Sequence, residues 1–278
     1  LSIINPKYVV TTHEAAPIPR SLIIEASKRN IPTIGLQHGT LSGHHYDYCN
    51  KRVTINPLID KYSFAVPRKT AVWGELWKDY LIRDGNYPKD SVVVTGNWRI
   101  NFNDKFYEKK KQKFKDKSYL AVIPTVNHKF TYTFFKDILN LIQNYDNLIP
   151  IIKFHPSDSE DIENISLLTK LIKSYGYCED VIFKGQINDL LFKSDIVIAE
   201  FSTVLFEAVI YKKPTILYNI SRFQNYPKFC EDFDVIKVVD NAKDLKKGFF
   251  EELMRTDEIK YLKNREKFLK RIFYNEDN

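Results

Sequence analysis

Residues 194–208 read SDIVIAEFSTVLFEA, and this stretch decides the fold. Ile196 to Ala199 is a continuous apolar run, which is typical of a strand that is buried on both faces. After Ser202 and Thr203, apolar residues return at helical spacing, so the sequence predicts a buried strand that turns directly into a helix. Parallel sheets covered by helices on both faces are built from such units.

The two hydroxyls at the start of this helix allow two interpretations. They can cap free backbone N–H groups, or they can bind a phosphate, which the same N–H groups and the helix dipole favour. A second stretch, IIKFHP at residues 151–156, also ends an apolar strand pattern with polar groups, namely Lys153 and His155 before Pro156. The two stretches together favour a phosphate site.

The composition is that of an ordinary globular protein. The chain has 278 residues, of which 44% are hydrophobic and 28% charged, enough for one large or two medium domains. No apolar run approaches the roughly 18 residues of a membrane-spanning helix, and no signal peptide is visible. Because the chain begins at Leu1, we expect a fragment of a longer protein. The three scattered cysteines lack a CxxC pair, which favours a cytosolic protein with reduced thiols.

The formal charge of +7 and the pI of about 9.0 come largely from residues 105–117 and 260–271. Such basic runs are usually solvated faces, but they also suit an anionic membrane surface or an acidic polymer. Nucleic acid is the weaker interpretation, since no RGG, RNP-like or zinc-finger pattern is present. We therefore expect a cytoplasmic location, with peripheral contact to the inner membrane face left open.

Strand and helix patterns alternate along the whole chain. Strands are predicted at 7–11, 32–36, 69–73, 90–95, 119–123, 148–154, 181–183, 195–199, 214–218 and 235–238. Helices are predicted at 20–29, 131–145, 161–175, 187–193, 202–211, 242–253 and 257–273, with a further one running through residue 81. This order predicts an α/β fold with two Rossmann-like domains that face each other across a cleft.

The predicted domains are residues 1–104 on the acceptor side and 118–256 on the nucleotide-donor side. Residues 105–117 are predicted to be a basic linker, and the C-terminal helix in residues 257–278 is expected to pack back on the first domain. In open parallel sheets, ligands bind at the carboxyl ends of the strands, where almost every polar residue named here falls.

Short motifs in a fixed order carry a family resemblance: Gln37-His38-Gly39, Trp73-Gly74-Glu75, Val94-Thr95-Gly96-Asn97, Lys153-Phe154-His155-Pro156, Ser194-Asp195 through Ser202-Thr203, and Lys213-Pro214. The set resembles bacterial GT-B glycosyltransferases of surface polysaccharide synthesis. The His-Pro and Ser/Thr motifs are similar to those of capsule and lipopolysaccharide sialyl-, polysialyl- and Kdo-transferases, and of CDP-glycerol polyol-phosphate transferases. The resemblance covers most of the chain, although the first half is about one βα unit short.

The resemblance implies a donor site in the second half. His155 and Lys153 would stabilise the departing phosphate, Pro156 would fix the turn, and Ser202 and Thr203 would hold the same phosphate. His155 is otherwise a hydrogen-bonded histidine at a strand end.

Two further residues belong to this predicted donor site. Glu207 lies one helical turn beyond Thr203 and would accept the ribose hydroxyls, or else is an exposed helix glutamate. Thr125 would face the phosphate from the other side. We expect no cofactor beyond a CMP- or CDP-linked co-substrate.

An inverting transfer also needs a general base in the first half. Glu14 and His38 are the candidates, each following a predicted strand. The resemblance to sialyltransferases favours Glu14, although His13 stands where those enzymes carry an acidic residue. Arg20 and the segment Gln37 to Gly39 are predicted to bind the acceptor, a glycan or glycolipid.

No metal site is expected. We interpret His44-His45 and Asp232-Phe233-Asp234 as loop residues, and the helix dipole with Lys153 and His155 would replace a metal. The first functional hypothesis is an inverting, metal-independent glycosyltransferase that uses a CMP-type donor and a surface-polysaccharide or lipopolysaccharide acceptor. The alternatives are a CDP-glycerol-type polyol-phosphate transferase, a sugar-nucleotide 2-epimerase on the same fold, and a non-catalytic module that binds acidic polymers.

Overall fold

The computed structural model describes residues 4–14, 16–41, 48, 66–97, 100, 117–124, 128–154, 162–222, 226–255 and 258–273. The chain divides into two compact units. Unit 1 comprises residues 1–102 and 267–278, and unit 2 comprises residues 103–266. The predicted linker lies outside the described residues apart from Lys117.

Unit 1 is built on a parallel sheet of four strands in the order β1-β2-β3-β4. The strands are β1 (Val9–Thr12), β2 (Thr33–Leu36), β3 (Lys69–Val72) and β4 (Val92–Val94). Helix α1 (Pro17–Lys28) begins with proline in its first turn, where the missing N–H costs nothing. Helix α2 (Glu75–Arg83) buries Trp77 and Leu81, four residues apart on one face. A short 3-10 helix, Lys89–Ser91, precedes β4.

Ile272 and Phe273 contact the turn between β3 and α2 and the first residues of α2. The indole N–H of Trp77 donates a 2.9 Å hydrogen bond to the carbonyl oxygen of Ile272, and the rings of Trp73 and Phe273 lie 5.9 Å apart. At Gly74, a Cβ would lie 2.5 Å from the same carbonyl oxygen. Glycine is therefore needed in this motif so that the last turn of the final helix can approach the backbone.

Unit 2 contains a parallel sheet of five strands in the order β6-β5-β7-β8-β9. The strands are β5 (Ser118–Ile123), β6 (Leu148–Ile152), β7 (Ile196–Ala199), β8 (Thr215–Tyr218) and β9 (Lys237–Val239). Strand β7 is central and wholly buried, and it leads into a helix over Val204–Ile210. The buried strand-to-helix turn predicted from residues 194–208 is thereby confirmed.

The helices of unit 2 cover both faces of this sheet. They are α3 (His128–Ile142), α4 (Ile162–Ser174), α5 (Ile187–Lys193), α6 (Val204–Ile210), α7 (Tyr226–Phe233), α8 (Ala242–Arg255) and α9 (Ile259–Ile272), whose last residues from Lys267 belong to unit 1. Within the described ranges, no helix is long and apolar enough to cross a bilayer.

Several local predictions were wrong, and helices α1 and α3 each begin three residues before their predicted starts. Residues 181–183 are not a strand: a 3-10 helix over Glu179–Val181 leaves only Ile182 to bridge β6, because Gly185 and charged residues follow at once. The helix expected from residue 202 begins at Val204, since Ser202 and Thr203 remain in the turn. Asp232 and Phe233 lie in α7 rather than in a loop. The sequence signal for α7 was the proline in its first turn.

Candidate functional site

The strand order of unit 2 creates a topological switch point between β5 and β7. From β5 the chain moves outward to β6, and then returns to β7 on the opposite side of β5. Ligands of open α/β sheets bind outside the carboxyl ends of the strands at such a point. Residues 200–203 follow β7 directly at this position. Thr125, which follows β5 in the sequence, lies outside the described residues.

Ser202 and Thr203 occupy the turn between β7 and α6. The hydroxyl oxygen of Ser202 accepts a long, 3.3 Å hydrogen bond from the backbone N–H of Val204. Thr203 stands at the N-cap position, but its side chain accepts no capping hydrogen bond from the backbone N–H groups of the described residues. Both side chains are half-buried. Capping therefore accounts for Ser202 in part and leaves Thr203 without that function.

Lys153 follows β6, which lies two strands from β7 in the sheet. Its ammonium group donates a 2.8 Å hydrogen bond to the carbonyl oxygen of Gly185 and lies 5.9 Å from the centre of the Phe183 ring. Adjacent strands are about 4.8 Å apart, so the ends of β6 and β7 are separated by on the order of 10 Å. His155 and Pro156 lie outside the described residues, and their roles stay predictions.

Glu207 lies in the first turn of α6 and is half-buried. Its backbone N–H donates a 3.3 Å hydrogen bond to the carbonyl oxygen of Thr203, which places it one turn beyond the hydroxyl pair. This is the position that the sequence predicted for it. Its contact with a ribose stays a prediction.

Sequence reasoning missed several polar groups at the same edge of the sheet. Glu200 follows β7 directly and is fully buried, with its backbone N–H donating to the carbonyl oxygen of Ile123. Asn219 follows β8 and donates a 3.1 Å hydrogen bond to a carboxylate oxygen of Asp240, after β9. A polar residue directly after an apolar run was the available signal for both.

Tyr218 is the last residue of β8 and therefore lies at the same edge of the sheet. Its hydroxyl donates a 2.6 Å hydrogen bond to Oδ2 of Asp137 in α3. Burial, reinforced by the hydrogen bond to Asp137 and its negative charge, raises the pKa of Tyr218 well above its usual value. The phenol therefore stays protonated and holds α3 against the sheet.

In unit 1, the carboxyl group of Glu14 is buried beside β2. The hydroxyl of Tyr87 donates to its Oε1, and a Cβ at Gly35 would lie 2.0 Å from its Oε2. Glu14 is only 3% exposed. Burial raises its pKa from 4.5 to about 7, although the Tyr87 hydrogen bond and the charge of Arg20 act in the opposite direction. The chain thus holds a carboxyl group that titrates near neutral pH, inside the unit.

Gly35 is required by this close approach, which gives a first prediction. Gly35→Ala is expected to lower the free energy of unfolding by about 1–3 kcal/mol, because the new methyl group would overlap Glu14 and lie 2.8 Å from Cγ of Pro67. Urea unfolding measured by fluorescence is the test. In the double variant Glu14→Ala/Gly35→Ala the clash with Glu14 is gone, so the two effects should not add. Additive losses would contradict the contact.

His38 follows β2 and is half-buried. Its Nδ1 lies 2.9 Å from the hydroxyl oxygen of Tyr48, and its ring stacks on the ring of His13, with centroids 4.5 Å apart and an interplanar angle of 12°. His13 itself has a φ of 53°, in the left-handed region. Two separate contacts therefore hold the imidazole of His38.

The predicted acceptor residues differ in their surroundings. The amide oxygen of Gln37 accepts from the backbone N–H of Trp73 at 2.9 Å, its amide nitrogen donates to the carbonyl oxygen of Gly39 at 2.8 Å, and the residue is 1% exposed. Gln37 joins β2 to β3 and would have to move to reach an acceptor. Arg20, in the first turn of α1, is half-buried and its charge acts on Glu14.

In the described part of the chain, no group of three or more His, Cys, Asp and Glu side chains could hold a metal ion.

Comparison with known sequences places this geometry in context. The family model of CDP-glycerol:poly(glycerophosphate) glycerophosphotransferases matches residues 99–278. The teichoic acid ribitol-phosphate polymerases TarK and TarL of Staphylococcus aureus are 27% and 26% identical to the chain over 178 residues. The matches cover 58% of this chain and 34% and 31% of the relatives. The chain therefore spans about a third of the length of these relatives.

Solved structures share the fold. MnaA of S. aureus with UDP superposes with a TM-score of 0.61 at 15% identity, covering 97% of this chain and 70% of that one. The UDP-GlcNAc 2-epimerase of Methanocaldococcus jannaschii gives 0.62 at 18% identity, covering 94% and 72%. The wall teichoic acid polymerase TagF with CDPG gives 0.55 at 17% identity, covering 88% and 64%. The predicted α/β class, with two parallel-sheet units of GT-B type, is confirmed.

Proposed function

This chain belongs to the CDP-glycerol:poly(glycerophosphate) glycerophosphotransferase family, and we propose that it transfers a polyol phosphate from a CDP-linked donor to a hydroxyl group of a surface-polymer acceptor. The resemblance to enzymes of bacterial surface-polysaccharide synthesis is confirmed by this membership. Between the two transferase hypotheses, the match supports the polyol-phosphate alternative better than the CMP-sugar transferase, which was the first choice from sequence.

The proposed reaction forms a phosphodiester. The acceptor oxygen attacks the phosphorus that carries the polyol, the bond from that phosphorus to the oxygen of CMP breaks, and CMP leaves with the electron pair. The proton of the acceptor hydroxyl passes to a general base. Catalysis then depends on holding the phosphates and stabilising the charge on the departing CMP.

The observation that carries the proposal is the switch point of unit 2, which lies within the segment matched by the family. We propose that Ser202 and Thr203 hold the departing phosphate and that Lys153 supplies positive charge from the end of β6, two strands away. Glu207 is proposed to contact the ribose. His155, Pro156 and Thr125 complete the proposed donor site on sequence grounds. No cofactor beyond the CDP-linked co-substrate is part of the proposal.

For the general base we propose His38 rather than Glu14. When Nδ1 of His38 donates its proton to the hydroxyl oxygen of Tyr48, Nε2 carries the lone pair that a base needs. Glu14 is buried, and one of its oxygens is engaged by Tyr87. Acceptor contacts through Arg20 and Gly39, and contact with an anionic membrane surface, remain parts of the proposal.

Nucleotide binding tests the donor site. CMP and CDP are expected to raise the melting temperature without added metal. At a ligand concentration 100 times Kd, binding adds about 2.7 kcal/mol to the free energy of unfolding. The matched control is the variant Ser202→Ala/Thr203→Val, which should lose most of the shift. Product analysis with CDP-glycerol and CDP-ribitol should then show CMP and a new phosphodiester. A shift with UDP alone would overturn the proposal and favour an epimerase, the activity named for structural neighbours such as the UDP-GlcNAc 2-epimerase of M. jannaschii.

A further inference from the structure

The turn after β1 brings a second histidine against His38. In the parallel register of β1 and β2, Thr12 pairs with Leu36, so the residues after these positions leave the sheet side by side. His13 leaves with a φ of 53°, in the left-handed region, which few residues other than glycine adopt and in which histidine, like asparagine and aspartate, is found more often than most. Its ring lies nearly parallel to that of His38, at 4.5 Å between centroids.

The backbone of this turn is held on both sides of His13. The carbonyl oxygen of His13 accepts a 3.0 Å hydrogen bond from the N–H of Ala16, which closes the turn into α1. The next residue, Glu14, is anchored inside the unit by the hydroxyl of Tyr87 and by the space above Gly35. These contacts keep the left-handed residue in place, so the direction in which the His13 side chain leaves the backbone is fixed.

We propose that His13 is a positioning residue for His38. The inference rests on the proposed function, in which His38 is the general base. The contact between Nδ1 and the hydroxyl of Tyr48 sets the position of one edge of the imidazole. The flat stack of His13 on one face limits the tilt of the ring, and the two contacts together fix the direction of Nε2. Proton transfer to a base depends on this alignment.

Two substitutions of His13 separate its ring from its backbone. Asparagine tolerates the left-handed conformation but has no ring, whereas phenylalanine keeps a flat ring. His13→Asn is expected to lower kcat about 10–100-fold with an unchanged KM for the CDP-linked donor. His13→Phe should restore kcat to within about threefold of the wild type. The matched control is Asn30→Gly, because Asn30 also has a left-handed backbone conformation in unit 1. We expect this variant to have the kcat of the wild type.

An activity-independent readout accompanies the kinetics. Imidazole NMR of the intact protein should show the ring signals of His38 shifted and broadened in His13→Asn, and returned towards the wild-type pattern in His13→Phe. Unchanged His38 signals and kcat in His13→Asn would overturn the inference, as would a His13→Phe variant as slow as His13→Asn. If the wild type releases no CMP from CDP-glycerol or CDP-ribitol, the proposed function fails, but the NMR comparison still decides whether His13 fixes the ring.

Discussion

Replacing His38 with alanine is expected to lower turnover about 10²–10⁴-fold, which is the usual contribution of a positioned general base. The variant keeps the strand, the turn and the residues of unit 2, so the stability shift with CDP should equal that of the wild type. Initial rates of CMP release from CDP-glycerol or CDP-ribitol, with saturating acceptor, measure the loss. An equal loss of nucleotide binding would mean that the substitution disturbs more than proton transfer.

Glu14→Gln is the matched control for this experiment. Glutamine keeps the size of the side chain and still accepts the hydrogen bond from Tyr87, but it cannot take up a proton. If His38 is the base, Glu14→Gln should retain turnover to within about tenfold. The reverse pattern, with an inactive Glu14→Gln variant and an active His38→Ala variant, would return the base to Glu14, as the sequence resemblance suggests.

The parts of this fold that follow from one segment of sequence were predictable. Strand β7 is apolar at every position and is buried at every position, because a central strand of a parallel sheet has helices on both faces. The polar residues that follow β1, β2, β6 and β7 lie at strand ends because each apolar run stops where its strand leaves the sheet. Strand ends differ from the predicted ones by one or two residues, where propensity alone cannot decide which residue makes the last ladder hydrogen bond.

The surroundings of the candidate base could not be predicted in the same way. Whether Glu14 is exposed or buried depends on Gly35 in β2 and on Tyr87, 73 residues away in the chain. The stack of His13 on His38 depends on the register between β1 and β2, which no local pattern specifies. The burial of Gln37, whose amide oxygen accepts from the backbone of Trp73 after β3, was likewise not visible in the motif, and its role at the acceptor stays a prediction.

The second large expected effect is on stability: the ionisation of Glu14 makes the free energy of unfolding of unit 1 depend on pH. Its pKa is raised from 4.5 to about 7, mainly because burial penalises the charged form. The folded state therefore holds the proton more tightly than the unfolded state. The resulting stabilisation is fully present below about pH 4.5 and is lost as the pH rises to about 7, by roughly 3 kcal/mol in total.

Glu14→Gln should remove this dependence. The variant is neutral at every pH, so its unfolding free energy should decline less between pH 4.5 and 7, and it should exceed the wild type above pH 7 by up to roughly 3 kcal/mol. All three tryptophans of the chain, at positions 73, 77 and 98, belong to unit 1. Urea unfolding followed by tryptophan fluorescence therefore reports on this unit and not on unit 2.

Tyr87→Phe is the complementary variant, because it deletes only the hydroxyl that donates to Glu14. That hydrogen bond acts to lower the pKa of Glu14, so its loss should raise the pKa and extend the decline in stability to higher pH. The two variants thus change the pH dependence in opposite directions at a single carboxyl group. Parallel stability curves for the wild type and Glu14→Gln would show that Glu14 ionises at its ordinary pKa. Its carboxyl group would then be solvated rather than enclosed by β2 and Tyr87.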